Sequence, residues 1–180
     1  QGFYFNKAVN SSKDTQGIKF RSYNSATATF AEELGMVPVQ VEAAELSQAL
    51  ATGVAESFIS SGSTGYDRKV WEHLSHYYKV NAWLPRNYVM VNKGVWEGLN
   101  SDMKGAVQKA ADETGAACSA KSAELASWYF EQLEANGMAV EDASPEFLAE
   151  LQAIGAKMTA DWLASAGADG QAILDAYKSN

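Results

Sequence analysis

The stretch GIKFRSYNSATATFAEELGMVPVQV, Gly17 to Val41, decides the fold. Its first part, Ile18 to Tyr23, alternates in the manner of a strand. Asn24 and Ser25 then offer N-caps to a helix that runs through Phe30 and Leu34 and stops at Gly35, a residue suited to a left-handed C-terminal cap. Met36-Val-Pro-Val-Gln-Val41 reads as a second strand. Its proline suits an edge or a first position, because it has no amide hydrogen to give to a ladder. Strand, helix and strand in close succession predict an α/β layer with parallel strands.

The same alternation extends through the first hundred residues. Gly2 to Asn6 is aromatic and extended, Glu42 to Ala51 is a short helix closed by Gly53, and Val54 to Ser60 is a further strand. The polar glycine loop Ser60-Ser-Gly-Ser-Thr-Gly65 leads into a helix through Trp71 and Leu74. Tyr77 to Trp83 and Tyr88 to Asn92 are two more strand candidates, parted by the breaker Leu84-Pro85. After Asn100 the pattern changes. Asp102 to about Asn136 is almost continuously helical, on the order of 50 Å long if unbroken, with Gly115 as a candidate kink. Such a helix exceeds one compact lobe of this size, and its far end carries Trp128-Tyr129-Phe130. Met138 to Glu141 is a brief strand, Ser144-Pro145 is a favoured N-cap and N1 pair for a helix past Trp162, and a last short helix closes the chain. Residues 1–100 thus read as an α/β lobe with a mostly parallel sheet, and residues 101–180 as a long helix, a short strand and C-terminal helices.

Of the 180 residues 47% are hydrophobic and 20% charged, the profile of a globular protein with a real core. No apolar run approaches the roughly 20 residues of a membrane span, and no basic and apolar leader opens the chain. Lys plus Arg number 14 against 22 Asp plus Glu, a formal net charge of -8. That field repels nucleic acid and anionic lipid, so an anion site here needs local positive potential. The single cysteine, Cys118, reads as a small core residue and leaves the redox compartment open.

Arg21 supplies such potential. A guanidinium is planar, permanently charged and carries five fixed donors, which suits bidentate capture of a carboxylate; a surface or structurally paired arginine is the ordinary alternative. In open α/β sheets ligands bind beyond the carboxyl ends of the strands. Three candidate strands end there: one at Arg21, one at Phe58-Ile-Ser60-Ser61, one at Ala82-Trp83. Ser60, Ser61, Ser63 and Thr64 can donate to a carboxylate or hydroxyl, while Phe58 or Trp83 can wall an apolar part of a ligand. Serine and glycine clusters equally serve as caps and turns, and a strand tryptophan is most often a core residue.

Enzyme patterns are poorly matched. Gly62-Ser-Thr-Gly65 has neither phosphate-loop nor dinucleotide spacing, and falls one residue short of a nucleophile elbow. His73 and His76 lie three apart on the expected helix without further ligands at metal-binding spacing. No catalytic residue, metal or cofactor is expected.

Several segments resemble the DctP-like solute-binding proteins of TRAP transporters, and the likeness covers almost the whole chain. Asp14-Thr-Gln-Gly-Ile-Lys-Phe-Arg21 looks like the family segment that delivers an arginine to the substrate carboxylate. Glu45-Leu-Ser-Gln-Ala-Leu-Ala-Thr-Gly-Val54 is similar to the helix and turn before its second ligand loop, and Tyr88-Val-Met-Val-Asn-Lys-Gly-Val-Trp96 precedes its long helix. The resemblance implies a periplasmic, non-enzymatic receptor that closes two lobes around a small organic acid and delivers it to TRAP membrane subunits. Arg21 takes the carboxylate role, and Ser60 stands where many members place an asparagine. Ser22-Tyr23-Asn24 replaces the frequent Val-Pro-Gly after the arginine. The family also has an N-terminal lobe ahead of the segment that begins at Gln1, so the chain reads as a fragment: the second lobe and the helices that span the lobes. Its aromatic cluster near Trp128 is then expected to pack in a partner copy. A small hydrolase-like α/β enzyme acting on a carboxylate, with the hydroxyl-rich loop as nucleophile, and a plain interaction domain are the rival readings.

Overall fold

A computed structural model describes residues 1–85 and 87–179. Six strands form one sheet: β1 (Gly2–Phe5), β2 (Lys19–Ser22), β3 (Val37–Gln40), β4 (Ser57–Ser60), β5 (His76–Lys79) and β6 (Ala139–Asp142), in the order β3-β2-β4-β1-β5-β6. Pairs β2–β3, β2–β4 and β5–β6 are parallel. β1 is antiparallel to both its neighbours. Every strand except β1 therefore points its carboxyl end to the same edge, where β1 begins. Pro38 lies on the edge strand β3, as its missing donor requires.

The period of two explains the core. Phe3, Phe5, Phe20, Ile59 and Tyr78 enter one hydrophobic cluster with Phe30, Leu34 and Phe147. Tyr4, Phe58 and Tyr77, their chain neighbours, enter a second with Leu46, Leu50, Val70 and Leu133. The central strand β1 is thus buried on both faces, and its residues Gly2 to Phe5 are apolar or aromatic throughout.

The helices are α1 (Ser25–Glu33), α2 (Leu46–Ala51), α3 (Gly62–Asp67), α4 (Lys93–Gly98), α5 (Ser101–Ala135) and α6 (Pro145–Lys178). Asn24 caps α1, its side-chain oxygen accepting from the Thr27 amide at 2.8 Å. Ser144 caps α6 with Pro145 in the first turn. Gly167, at φ 62°, divides α6 in two and supplies the expected last helix. α5 runs unbroken through Gly115. Its N-terminal portion is largely exposed, and its lobe-facing end buries Leu133.

Several expectations need correction, and Cys118, expected in the core, is exposed. The helix after Gly62 stops at Asp67, because Lys69 takes a left-handed φ of 49°; Trp71 lies in a separate 3-10 turn and Leu74 follows it. His73 and His76 consequently share no helix, His76 opening β5. Tyr88 to Asn92 is not a strand: it pairs with nothing among the described residues, and its side chains stand exposed. The Trp128 cluster packs within the chain. Trp128 and Tyr129 meet Tyr66 of α3 at ring separations of 5.0 and 5.9 Å, and Phe130 meets Tyr77 at 5.3 Å. Trp128 itself stays 37% exposed, and further apolar side chains are exposed at Leu84, Tyr88 to Val91, Val95 and Met103. No described helix is long and apolar enough to cross a membrane.

Candidate ligand-binding site

Arg21 is the third residue of β2, and its chain neighbour Phe20 fills the first core cluster. The arginine is only 5% exposed. Its Nε donates to the carbonyl oxygen of Val41, just past the end of β3, at 2.8 Å. Its guanidinium carbon lies 4.9 Å from the centroid of the Tyr23 ring, just past the end of β2. Both contacts place the head group at the shared carboxyl edge. Among the described residues no carboxylate reaches ion-pair distance of it, and its two terminal nitrogens have no hydrogen-bond partner. Burial lowers the Arg21 pKa, while Tyr23 and the acid Glu42 act to raise it. The terminal nitrogens are not among the fully buried unpaired atoms, so they stay open to solvent or to an anion.

Tyr23 is half-buried and held at several points. Its hydroxyl donates to Gln1 Oε1 at 3.0 Å, and its amide donates to Thr27 Oγ1 at 3.1 Å. Gln1 is itself paired to the chain beyond β5: its nitrogen donates to Trp83 O at 2.8 Å, and its carbonyl accepts from the Ala82 amide at 3.2 Å. Gln1 was not among the residues singled out from sequence. Its role rests on a contact across the sheet, for which local pattern carries no signal.

The hydroxyl loop is well satisfied. Ser60, the last residue of β4, donates from Oγ to Thr64 Oγ1 at 2.8 Å, and Ser61 caps α3 while sharing a 2.8 Å hydrogen bond with Ser63 Oγ. Ser61 O accepts from the Tyr4 hydroxyl at 2.8 Å, which fixes the cap to β1. This loop has no imidazole partner among the described residues; His76 Nδ1 is bonded to Ser75 Oγ.

Phe58 lies fully in the core with its ring stacked on Tyr4 at 4.4 Å, so it supports the edge from below and offers no surface. Trp83 is half-buried and meets Phe30 edge-on at 5.1 Å. Two hollows flank the edge. One, of about 490 Å³, is lined by Ser61, Ser63, Tyr77, Lys121 and Tyr129 among others; the second, of about 390 Å³, by Phe30, Trp83, Leu151 and Met158 among others. Asn81 lines both, in a left-handed conformation at φ 49° that asparagine tolerates. Arg21 lines neither hollow; Tyr23 and Gln1 connect it to Trp83. Among the described residues no group of side chains is suited to hold a metal ion.

An open α/β lobe with an unfilled guanidinium at its strand ends has the form of a ligand-binding lobe. The chain belongs to the family of bacterial extracellular solute-binding proteins, family 7, whose DctP model matches residues 2–165. It is 83% identical to a marine metagenome TRAP solute-binding protein from an unidentified microbe, specific for pyroglutamate and solved with co-purified pyroglutamate; the match covers 99% of this chain and 59% of that one, at TM-score 0.95. It is 43% identical to a Bordetella pertussis extracytoplasmic solute receptor binding pyroglutamic acid, over 99% of this chain and 60% of that one, at TM-score 0.96. A second such Bordetella pertussis receptor is 36% identical over 98% and 59%, at TM-score 0.94. The chain spans about 60% of the length of these solved proteins.

Proposed function

We propose that this chain is the carboxylate-binding lobe of an extracytoplasmic TRAP receptor whose ligand is pyroglutamate. The observation that carries the reading is Arg21: buried, held by Val41 and Tyr23, with both terminal nitrogens free at the edge where strands β2 to β6 all end. Pyroglutamate offers what this edge lacks, a carboxylate for those nitrogens. Its lactam presents one donor and one acceptor, which suit the hydroxyls of Ser60 and Ser61, and its ring suits an apolar wall at Trp83, with Phe58 as the support beneath. The 83% identity to a pyroglutamate-specific protein favours this acid over others of similar charge.

The receptor works outside the cytoplasm, in the periplasm, and hands its ligand to the membrane subunits of the transporter without altering it. The exposed apolar side chains of Leu84, Tyr88 to Val91 and Val95 form the face that a second lobe covers. The test is calorimetric titration of the receptor containing this chain with pyroglutamate and a panel of organic acids. Binding to pyroglutamate with at least a tenfold loss in Arg21→Lys supports the reading. Unchanged affinity in that variant removes Arg21 from the site.

A further inference from the structure

We propose that Tyr23 is a positioning residue for the carboxylate anchor, its ring setting the attitude of the Arg21 guanidinium and its hydroxyl tying that ring to the paired segments Gln1 and Ala82–Trp83. The inference rests on the reading of Arg21 as the anchor and adds to it a specificity device. Three observations carry it.

First, among the described residues the guanidinium has one hydrogen bond, Nε to Val41 O. A single bond leaves the planar fork free to swing about it. Bidentate capture of a carboxylate needs both the plane and the direction set. The Tyr23 ring, 4.9 Å from the guanidinium carbon, is the second support.

Second, the tyrosine is itself held at two points. Its hydroxyl donates to Gln1 Oε1 at one end, and at the other its backbone amide donates to Thr27 Oγ1 within the cap of α1. A tyrosine held at its backbone and at its hydroxyl can orient a cation in a way that a free surface tyrosine cannot.

Third, the acceptor Gln1 is bonded through its backbone to Ala82 and Trp83, the segment that leaves β5. The relay therefore runs Arg21, Tyr23, Gln1, Trp83. It joins the anchor to the tryptophan placed as the ligand's apolar wall, although the two residues share no hollow. Anchor and wall are then set in register by one tyrosine.

The experiment uses the receptor containing this chain, with pyroglutamate and its neutral carboxamide as paired probes. Tyr23→Leu is expected to weaken pyroglutamate roughly threefold to thirtyfold and to leave the carboxamide nearly unchanged, so that the preference for the charged ligand shrinks. Tyr23→Phe keeps the ring and restores most of that preference. Should Tyr23→Leu fail to fold, Gln1→Ala releases the ring from its far end and is expected to give a smaller loss of the same selective kind. Equal weakening of both probes, or no weakening of either, overturns the proposal, since a merely structural tyrosine does not distinguish carboxylate from amide. Arg21→Met separates the two readings. If it leaves pyroglutamate affinity intact, the anchor reading fails and this inference fails with it. If it abolishes binding while Tyr23→Leu has no effect, only the role of Tyr23 falls.

Discussion

Arg21 and Val41 are joined by a 2.8 Å hydrogen bond in which the guanidinium Nε donates to a backbone carbonyl from the neighbouring parallel strand's exit. That bond satisfies the inner nitrogen and turns the two outer ones toward the strand-end edge. Among the described residues no carboxylate pairs with this largely buried side chain, and its terminal nitrogens stay accessible. Such a group is a liability while unpaired and an asset once an anion meets it.

The liability is measurable. Arg21→Met replaces the charge by an apolar chain of similar length, so the ligand-free receptor is expected to melt at the same temperature or higher. The rise in melting temperature on adding pyroglutamate is expected to vanish, since stabilisation by a ligand depends on its affinity for the folded state. Loss of charge-assisted bonds of about 3 kcal/mol corresponds to more than a hundredfold in Kd. A mutant that is less stable without ligand and still shifts with it contradicts this account.

Ser57 offers a second test. It is fully buried in β4, and its Oγ has no hydrogen-bond partner among the described residues. An unpaired buried hydroxyl costs about 1 to 3 kcal/mol. Ser57→Ala removes it while leaving a cavity of less than a methyl group, so the variant is expected to gain about 1 kcal/mol in chemical denaturation. Its ligand affinity is expected to stay put, because Ser57 stands at the opposite end of β4 from Ser60.

These residues also show how far the sequence was legible. Gly17 to Val41 was read correctly because each cue there is local: alternation, an asparagine cap, a glycine stop and a proline on the edge strand. The reading of Tyr88 to Asn92 as a strand failed because β-propensity describes fitness for a sheet surface, and no strand edge among the described residues receives that segment. The strand from Tyr77 overran because Asn81 turns left-handed after Lys79. Arg21 is legible in the sequence as a guanidinium near a strand end. Its clamp is not, since Tyr23 meets Gln1 from 22 positions away. Phe58, expected as a ligand wall, lies in the core against Tyr4 because β4 is buried on both faces.

The hydroxyl loop depends on a close approach at Gly65. A Cβ there would lie 2.3 Å from the Tyr4 hydroxyl oxygen and 2.8 Å from its ring. Tyr4 is fully buried and pinned by its bond to Ser61 O, so it cannot yield. Gly65→Ala is expected to cost about 1 to 3 kcal/mol in thermal or denaturant unfolding. Combining it with Tyr4→Phe removes the nearest clashing atom, and the pair is expected to cost less than the sum of the single changes.

The same tyrosines set an alkaline limit on stability. Burial pushes the Tyr77 phenol up to about 12, against an ordinary value of 10.0, and raises Tyr4 as well. The unfolded chain therefore releases these protons at lower pH than the folded protein does. Below about pH 10 both states hold them and the contribution is fully present; as pH rises from 10 through 12 ionisation favours the unfolded chain and the contribution is lost. For Tyr77 the shift corresponds to about 3 kcal/mol. Denaturant unfolding measured from pH 8 to 11.5 is expected to show a flat region and then a decline. Tyr77→Phe, which has no proton to lose, is expected to make that decline shallower, and an unchanged slope in the variant would show that Tyr77 is not its source.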